Sequence, residues 1–292
     1  MSAAEAEKRV RLGRISYLNV LPIYYPLEAG QISHEYELVY GPPAELNRLM
    51  AAGNLDVAST SSIEYARNAD QYYLAPDLAI GSCGPVMSVL LLSQRPVEEL
   101  EGQTILTTSQ SHTSAALLRL LLRYRYGLNV EYRTGSASEQ IASENPPEAL
   151  LAIGDEALRL RNHPMYPYRV DMGEAWREWT GLPFIFGVWV VSRDSVARGR
   201  FSTDPATMLQ RARDWSAAHM ETILDIGEER GYLNREDLVE YFRGLVFTLG
   251  EEAQQGLRTF YQKLVEAGEL ERMPELVFYD HTVHSRQTAP DN

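Results

Sequence analysis

The sequence predicts an α/β protein of two lobes with a ligand cleft between them. Three observations lead there. The chain has 292 residues, 45% hydrophobic and 23% charged, an ordinary globular balance with enough length for about two domains. Strand-like and helix-like patterns alternate through the first two thirds and restart near residue 104. The last third is helical throughout.

Arg11–Ser16 reads as a strand, and Leu21–Glu28 as a short helix with Pro22 near its start, where a missing N–H breaks no helical bond. Glu35–Tyr40 is a strand, and Pro43–Ala52 a helix stopped by Gly53. Leu55–Ser59 is a strand, Ser61–Asn68 a helix, and Ala75–Gly81 and Val86–Ser93 are strands. This order predicts a mostly parallel sheet covered by helices. The second block runs Thr104–Thr107 (strand), Thr113–Tyr126 (helix, closed by Gly127), Val130–Arg133 (strand), Ser138–Ser143 (helix) and Leu150–Ile153 (strand). Asp155–Arg161 and Glu174–Glu178 are helical, and Phe184–Ser192 is a strand. Pro205–Arg230, Arg235–Arg243 and Glu251–Glu266 carry helical periodicity, with stops at Gly231 and Gly268. The larger lobe is expected from residues 1–93 and 191–292 and the smaller from 94–190, with Val86–Ser93 and Trp189–Arg193 as the crossings.

Composition excludes several classes. The chain holds 27 Lys and Arg against 40 Asp and Glu, a formal net charge of −13, which disfavours nucleic acid as a partner. A single cysteine, Cys83, leaves no internal disulfide and no cysteine-built zinc cluster. The histidines are scattered, with only His281 and His284 close together, in a polar tail. No HExxH, Walker, GxGxxG or CxxC pattern occurs. The opening MSAAEAEKRVRLG lacks the apolar stretch of a secretory signal, and the apolar run Val86–Leu92 is too short to span a bilayer. The expectation is a cytoplasmic protein that binds neither membrane nor nucleic acid; the oligomeric state is not legible.

Ligands of open α/β sheets bind beyond the carboxyl ends of the strands. Those positions carry Ser16-Tyr17-Leu18-Asn19, Ser59-Thr60-Ser61-Ser62, Gly81-Ser82-Cys83-Gly84 and Thr107-Thr108-Ser109-Gln110-Ser111-His112-Thr113-Ser114. Three of the four lead towards a helix start. A helix N-terminus offers free N–H groups to an anion without Lys or Arg, although Ser and Thr there are also ordinary caps. Four such loops together point to a polar, anion-binding cleft. Asp155 follows a strand too and reads first as a helix cap. Phe184 begins an aromatic stretch suited to an apolar wall. Asp56 and Glu64 read as solvated or capping groups. His112, the only histidine in these loops, is a weak acid–base candidate and reads as a surface or capping residue.

Arg14-Ile15-Ser16-Tyr17-Leu18-Asn19, with Pro22 just after, resembles the N-terminal signature of chorismate dehydratases, which open the futalosine route to menaquinone. Gly53-x-Leu55-Asp56-Val57, Gly84-Pro85-Val86-Met87-Ser88, Ser111-x-Thr113-Ser114, Ile153-Gly154-Asp155-x-Ala157-Leu158 and Trp179-Thr180-Gly181-Leu182-Pro183-Phe184 extend the resemblance, in order, over residues 11–193. Each motif is weak alone; the ordered set is specific.

The resemblance implies a two-lobed periplasmic-binding-protein-like (type II) fold and a carbon–oxygen lyase that converts chorismate to 3-[(1-carboxyvinyl)oxy]benzoate and water. It implies Asn19 and Ser88 as catalytic residues. Ser16, Ser61, Ser82, Ser109, Ser111, Thr113, Ser114, Asp155 and Phe184 form the expected substrate-binding set. No evident protein base is present, so the substrate's own enolpyruvyl carboxylate is the expected proton acceptor, with no metal and no organic cofactor. Two alternatives stand beside this reading. One is a 1,4-dihydroxy-6-naphthoate synthase of the same pathway and fold, whose Ser-Pro-Cys-Pro-Asn-Asp-like turn is absent here. The other is a non-catalytic binder of a small carboxylate.

Overall fold

The computed structural model describes residues 9–108 and 112–282. Two sheets organise them. The first contains β1 (Arg11–Arg14), β2 (Glu37–Tyr40), β3 (Val57–Ser61), β4 (Tyr72–Ser82), β10 (Phe184–Ser192) and β11 (Leu245–Val246), in the order β11-β4-β10-β3-β1-β2. The second contains β5 (Val89–Ser93), β6 (Thr104–Thr107), β7 (Glu131–Thr134), β8 (Ala149–Ile153) and β9 (Tyr168–Asp171), in the order β7-β6-β8-β5-β9. Every residue of β5 and β8 is buried, as continuous apolar runs demand of central strands. Strand β7 is exposed along its length, and its Glu131 and Arg133 blunt a sheet edge against further pairing.

Both sheets are mixed, which corrects the mostly parallel expectation. β1 runs parallel to β2 and β3, and β6 parallel to β7 and β8. β10 runs antiparallel to β3 and β4, and β5 antiparallel to β8 and β9. The reason is topological. β4 takes the chain out of the first sheet and β10 brings it back alongside, so the two must run in opposite senses. Sheet membership also moves the expected lobe boundaries. β5 belongs to the second sheet and β10 to the first, so the chain changes sheets at 83–88 and 181–183.

The expected Pro205–Arg230 helix is two, Pro205–Ala218 and Met220–Glu229. The break is at His219 (φ −125°, ψ 42°), whose ring stacks on Trp215 at 4.2 Å between centroids. The helix starting at His112 is α-helical to Leu120 and widens into a π turn at Leu121–Arg125. Asp56 is neither solvated nor a cap. It is 1% exposed and accepts from Arg11 N at 2.7 Å, Ser195 Oγ at 2.7 Å and Arg200, so it ties β1 to the Arg193–Ala197 turn. Removing one partner from such a buried charge would leave it uncompensated.

The core spans both lobes. Trp176, on the helix Met172–Thr180, meets Phe184 of β10 edge-on at 5.2 Å and Phe260 of the helix Glu251–Glu266 at 6.0 Å. Burying an aromatic of this size stabilises the fold by about 1.5–3 kcal/mol. Gly256 permits the approach, because a Cβ there would stand 2.1 Å from the Pro183 carbonyl oxygen. The helix Glu251–Glu266 therefore packs on β10 and also on the helices Ser62–Arg67 and His112–Leu120, bridging the lobes. No described helix is long and apolar enough to cross a membrane.

Candidate active site

The carboxyl ends of β1, β3 and β8 converge on a cavity between the sheets. Its polar wall comes from Asn19, Ser59, Thr60, Ser61, Ser88 and Ser114, and its apolar wall from Ile15, Ile80, Val86, Val89, Ile153 and Phe186, among others. None of the described lining residues carries a formal charge. The interior volume is about 100 Å³, below the ~300–1,000 Å³ of most ligand pockets. A larger hollow, about 840 Å³, lies between the helix Ser62–Arg67 and the segment Glu269–Val277. Its Arg272–Asp70 pair is exposed on both sides. It is a solvent groove rather than a site.

The lobes are tied around the cavity by groups that sequence reading assigned to substrate. Thr113 Oγ1, at the start of the helix His112–Leu120, accepts from Ile63 N at 3.1 Å and lies 3.4 Å from Ser62 Oγ. Ile63 is in the first turn of its helix, where N–H groups have no intrahelical partner, and the Ser61 side chain makes no capping bond. Asp155 Oδ1 accepts from Leu18 N at 2.9 Å. Burial pushes the Asp155 carboxyl above its usual range, against the pull of that bond and of Arg230, Arg159 and Arg14.

Asn19 and Ser88 reach the cavity from different elements. Asn19 belongs to the single helical turn Leu18–Val20, and its Oδ1 is buried without a hydrogen-bond partner. Such groups are rare and call for a functional explanation. Ser88 closes the crossing 83–88. Its carbonyl accepts from Gly154 N at 2.7 Å, and its hydroxyl lies beside the Tyr241 phenol. Burial pushes the Tyr241 phenol far up, and the Ser88 hydroxyl offsets part of that, so Tyr241 stays neutral. The Tyr17 phenol is raised by burial first and then by Asp155 and Glu156. Its ring packs on Gly154, where φ is +57° and a Cβ would stand 3.4 Å from the ring. Glycine alone meets both conditions without strain.

Of the sequence-predicted residues, Asn19, Ser88, Ser61 and Ser114 line the cavity. Thr113 and Asp155 hold the lobes together instead. Ser16 is exposed beside the lining residues Ile15 and Tyr17. Ser82 is fully buried against Gly173, whose Cβ would fall 2.3 Å from its Oγ. Phe184 is buried in the aromatic core, and Phe186, one strand repeat along, faces the cavity. Ser109 and Ser111 lie outside the described residues. His112 is exposed and absent from the cavity wall. Sequence reading missed Tyr241, which no local pattern marks. It also missed Asp171, whose spacing to Glu174 matches a capping box. Among the described residues, no group of three or more His, Cys, Asp or Glu side chains could hold a metal ion.

Comparison with known proteins supports an enzymatic reading of this cavity. The family model described as menaquinone biosynthesis matches residues 10–266. A chorismate dehydratase of Thermus thermophilus is 27% identical over 271 residues, 87% of this chain and 94% of that one. A 1,4-dihydroxy-6-naphtoate synthase of the same organism is 24% identical over 277 residues, 92% of this chain and 98% of that one. Among solved structures, the periplasmic aliphatic sulphonate binding protein of Escherichia coli superposes with a TM-score of 0.64 at 12% identity, covering 94% of this chain and 92% of that one. That likeness shows the fold alone: two lobes in the periplasmic-binding-protein arrangement.

Proposed function

The chain belongs to the menaquinone biosynthesis family, and from that premise we propose that it is a chorismate dehydratase. The observation that carries the reading is the convergence of Asn19 and Ser88 on one cavity lined by uncharged residues, with a buried Asn19 oxygen still lacking a partner. In the reaction the C3 proton and the C4 hydroxyl leave chorismate as water, and the ring becomes aromatic. Chorismate carries two carboxylates, and the hydroxyls of Ser61 and Ser114, which line the cavity, would bind one.

The enolpyruvyl carboxylate of the substrate takes the C3 proton. The C–H electrons form the ring double bond as the C4–O bond breaks, and the proton passes from the enolpyruvyl carboxyl to the leaving hydroxide, giving water and restoring the carboxylate. Asn19 offers both an amide donor and an acceptor. Ser88, beside the neutral Tyr241 phenol, offers a hydroxyl donor to the departing oxygen. Positioning of this kind can supply up to about 7–11 kcal/mol of a barrier, and a preorganised donor adds more where charge develops.

The second reading, a synthase of the same pathway, draws on the 24% identity to that relative. Against it, β1 is followed by Ser16-Tyr17-Leu18-Asn19 rather than a Ser-Pro-Cys-Pro-Asn-Asp-like turn. Incubation with chorismate decides. Loss of one water by mass, with the ultraviolet spectrum of a substituted benzoate, is expected. Unchanged chorismate together with turnover of a cyclic futalosine product would replace the reading by the synthase. Binding of chorismate without turnover would replace it by a non-catalytic binder.

A further inference from the structure

Ser88 inherits its position from an unusual backbone. Met87, just before it, has φ +58°, a left-handed conformation that L side chains rarely adopt. Ser88 N donates to Val86 O at 2.7 Å. A bond from residue i+2 back to i around a positive φ is the γ-turn of the rare, strained hand. Strain of that kind persists only where neighbours over-determine it.

The neighbour is Asp171, at the end of β9. Its carboxylate accepts from Val86 N at 3.0 Å on each oxygen and from Met87 N at 2.7 Å. The same carboxylate accepts from Gly173 N at 2.9 Å and Glu174 N at 3.2 Å, capping the helix Met172–Thr180. A cap needs only the second pair of bonds. The first pair reaches 84 residues or more back along the chain to the two amides that precede Ser88. Gly173 lets the helix start press on the crossing, since a Cβ there would stand 2.5 Å from Gly84 O. Asp171 is absent from the cavity wall and acts only through this backbone.

We infer that Asp171 is the positioning residue for Ser88: its carboxylate locks the γ-turn at Met87 and so fixes the Ser88 hydroxyl on the cavity wall. The inference rests on the dehydratase reading of Ser88. Two arms keep the two claims separable.

The first arm is kinetic. Asp171→Ser retains a good helix cap but has one oxygen, too short to reach the crossing. With chorismate, kcat should fall roughly 10²-fold, the scale of a ~1 Å misplacement, while KM stays within about threefold because uniform binding is untouched. Adding Met87→Gly, which takes a positive φ without strain, should restore at least about tenfold of the lost kcat. A residue that only capped a helix would show neither the split nor the rescue. Unchanged kcat in Asp171→Ser, or a loss that Met87→Gly leaves untouched, would overturn the inference.

The second arm needs no activity. Hydrogen exchange of a peptide covering 83–88 should speed up in Asp171→Ser, with exchange in 174–180 unchanged, and a crystal structure of the variant should show Ser88 turned from the wall. Protection unchanged at 83–88 overturns the inference whatever the substrate is. Faster exchange in a chain that leaves chorismate intact upholds the lock and refutes the dehydratase reading instead.

Discussion

Thr113→Val tests whether the lobes are tied as described. Valine has nearly the shape of threonine, so the packing of this 1% exposed side chain is kept and only the hydroxyl goes. Among the described residues the Ile63 N–H then has no acceptor: its helix offers none in the first turn, and its partner there is Thr113 Oγ1 at 3.1 Å. A buried donor left unsatisfied costs about 1–3 kcal/mol. A chain of this size loses ~2–4 °C of melting temperature per kcal/mol, so the transition should drop by roughly 2–12 °C. Because Thr113 is not part of the cavity wall, KM and kcat measured well below the transition should stay within about twofold. The assay pairs a thermal melt by circular dichroism with steady-state kinetics. A melting temperature within about 1 °C of the parent, combined with a KM raised about tenfold, would refute the reasoning and put the hydroxyl on the ligand.

Asn19→Ala and Ser88→Ala should each lower kcat and kcat/KM together by ~10²–10³ while leaving the circular dichroism spectrum unchanged; a change confined to KM for either would reduce that residue to a binding role. Asp155→Asn keeps an oxygen for Leu18 N but cannot ionise. The Asp155 carboxyl is raised on folding, so its contribution is fully present below the unfolded value near pH ~4 and is lost as pH rises through the folded value. The melting temperature of the variant minus that of the parent should therefore become more positive from pH ~4 to ~7, and a difference that does not change with pH would refute the assignment.

Much of the fold is legible without coordinates. Leu21–Glu28, Thr104–Thr107 and Phe184–Ser192 occur within the limits their periodicity dictates, because hydrophobic alternation and helix starts are properties of neighbouring residues. The segment after β1 and the carboxyl end of β3 likewise supply the cavity residues Asn19 and Ser61, since polar residues at and beyond strand ends face a cleft in this architecture. The ordered motifs also identify the family. Tertiary structure alone separated adjacent residues of the same type. Ser114 lines the cavity and Thr113 ties the lobes, although both are small hydroxyls at one helix start. Phe186 faces the cavity and Phe184 the core, because the Trp176–Phe260 cluster reaches only the deeper ring. Asp171 and Tyr241 bear on Ser88 from distant segments, one through the backbone of the crossing and one through a buried phenol. Short-range pattern specifies which element a residue joins, whereas the surface it faces and the partner it meets there depend on how two sheets and a bridging helix pack over each other, and no local signal encodes that.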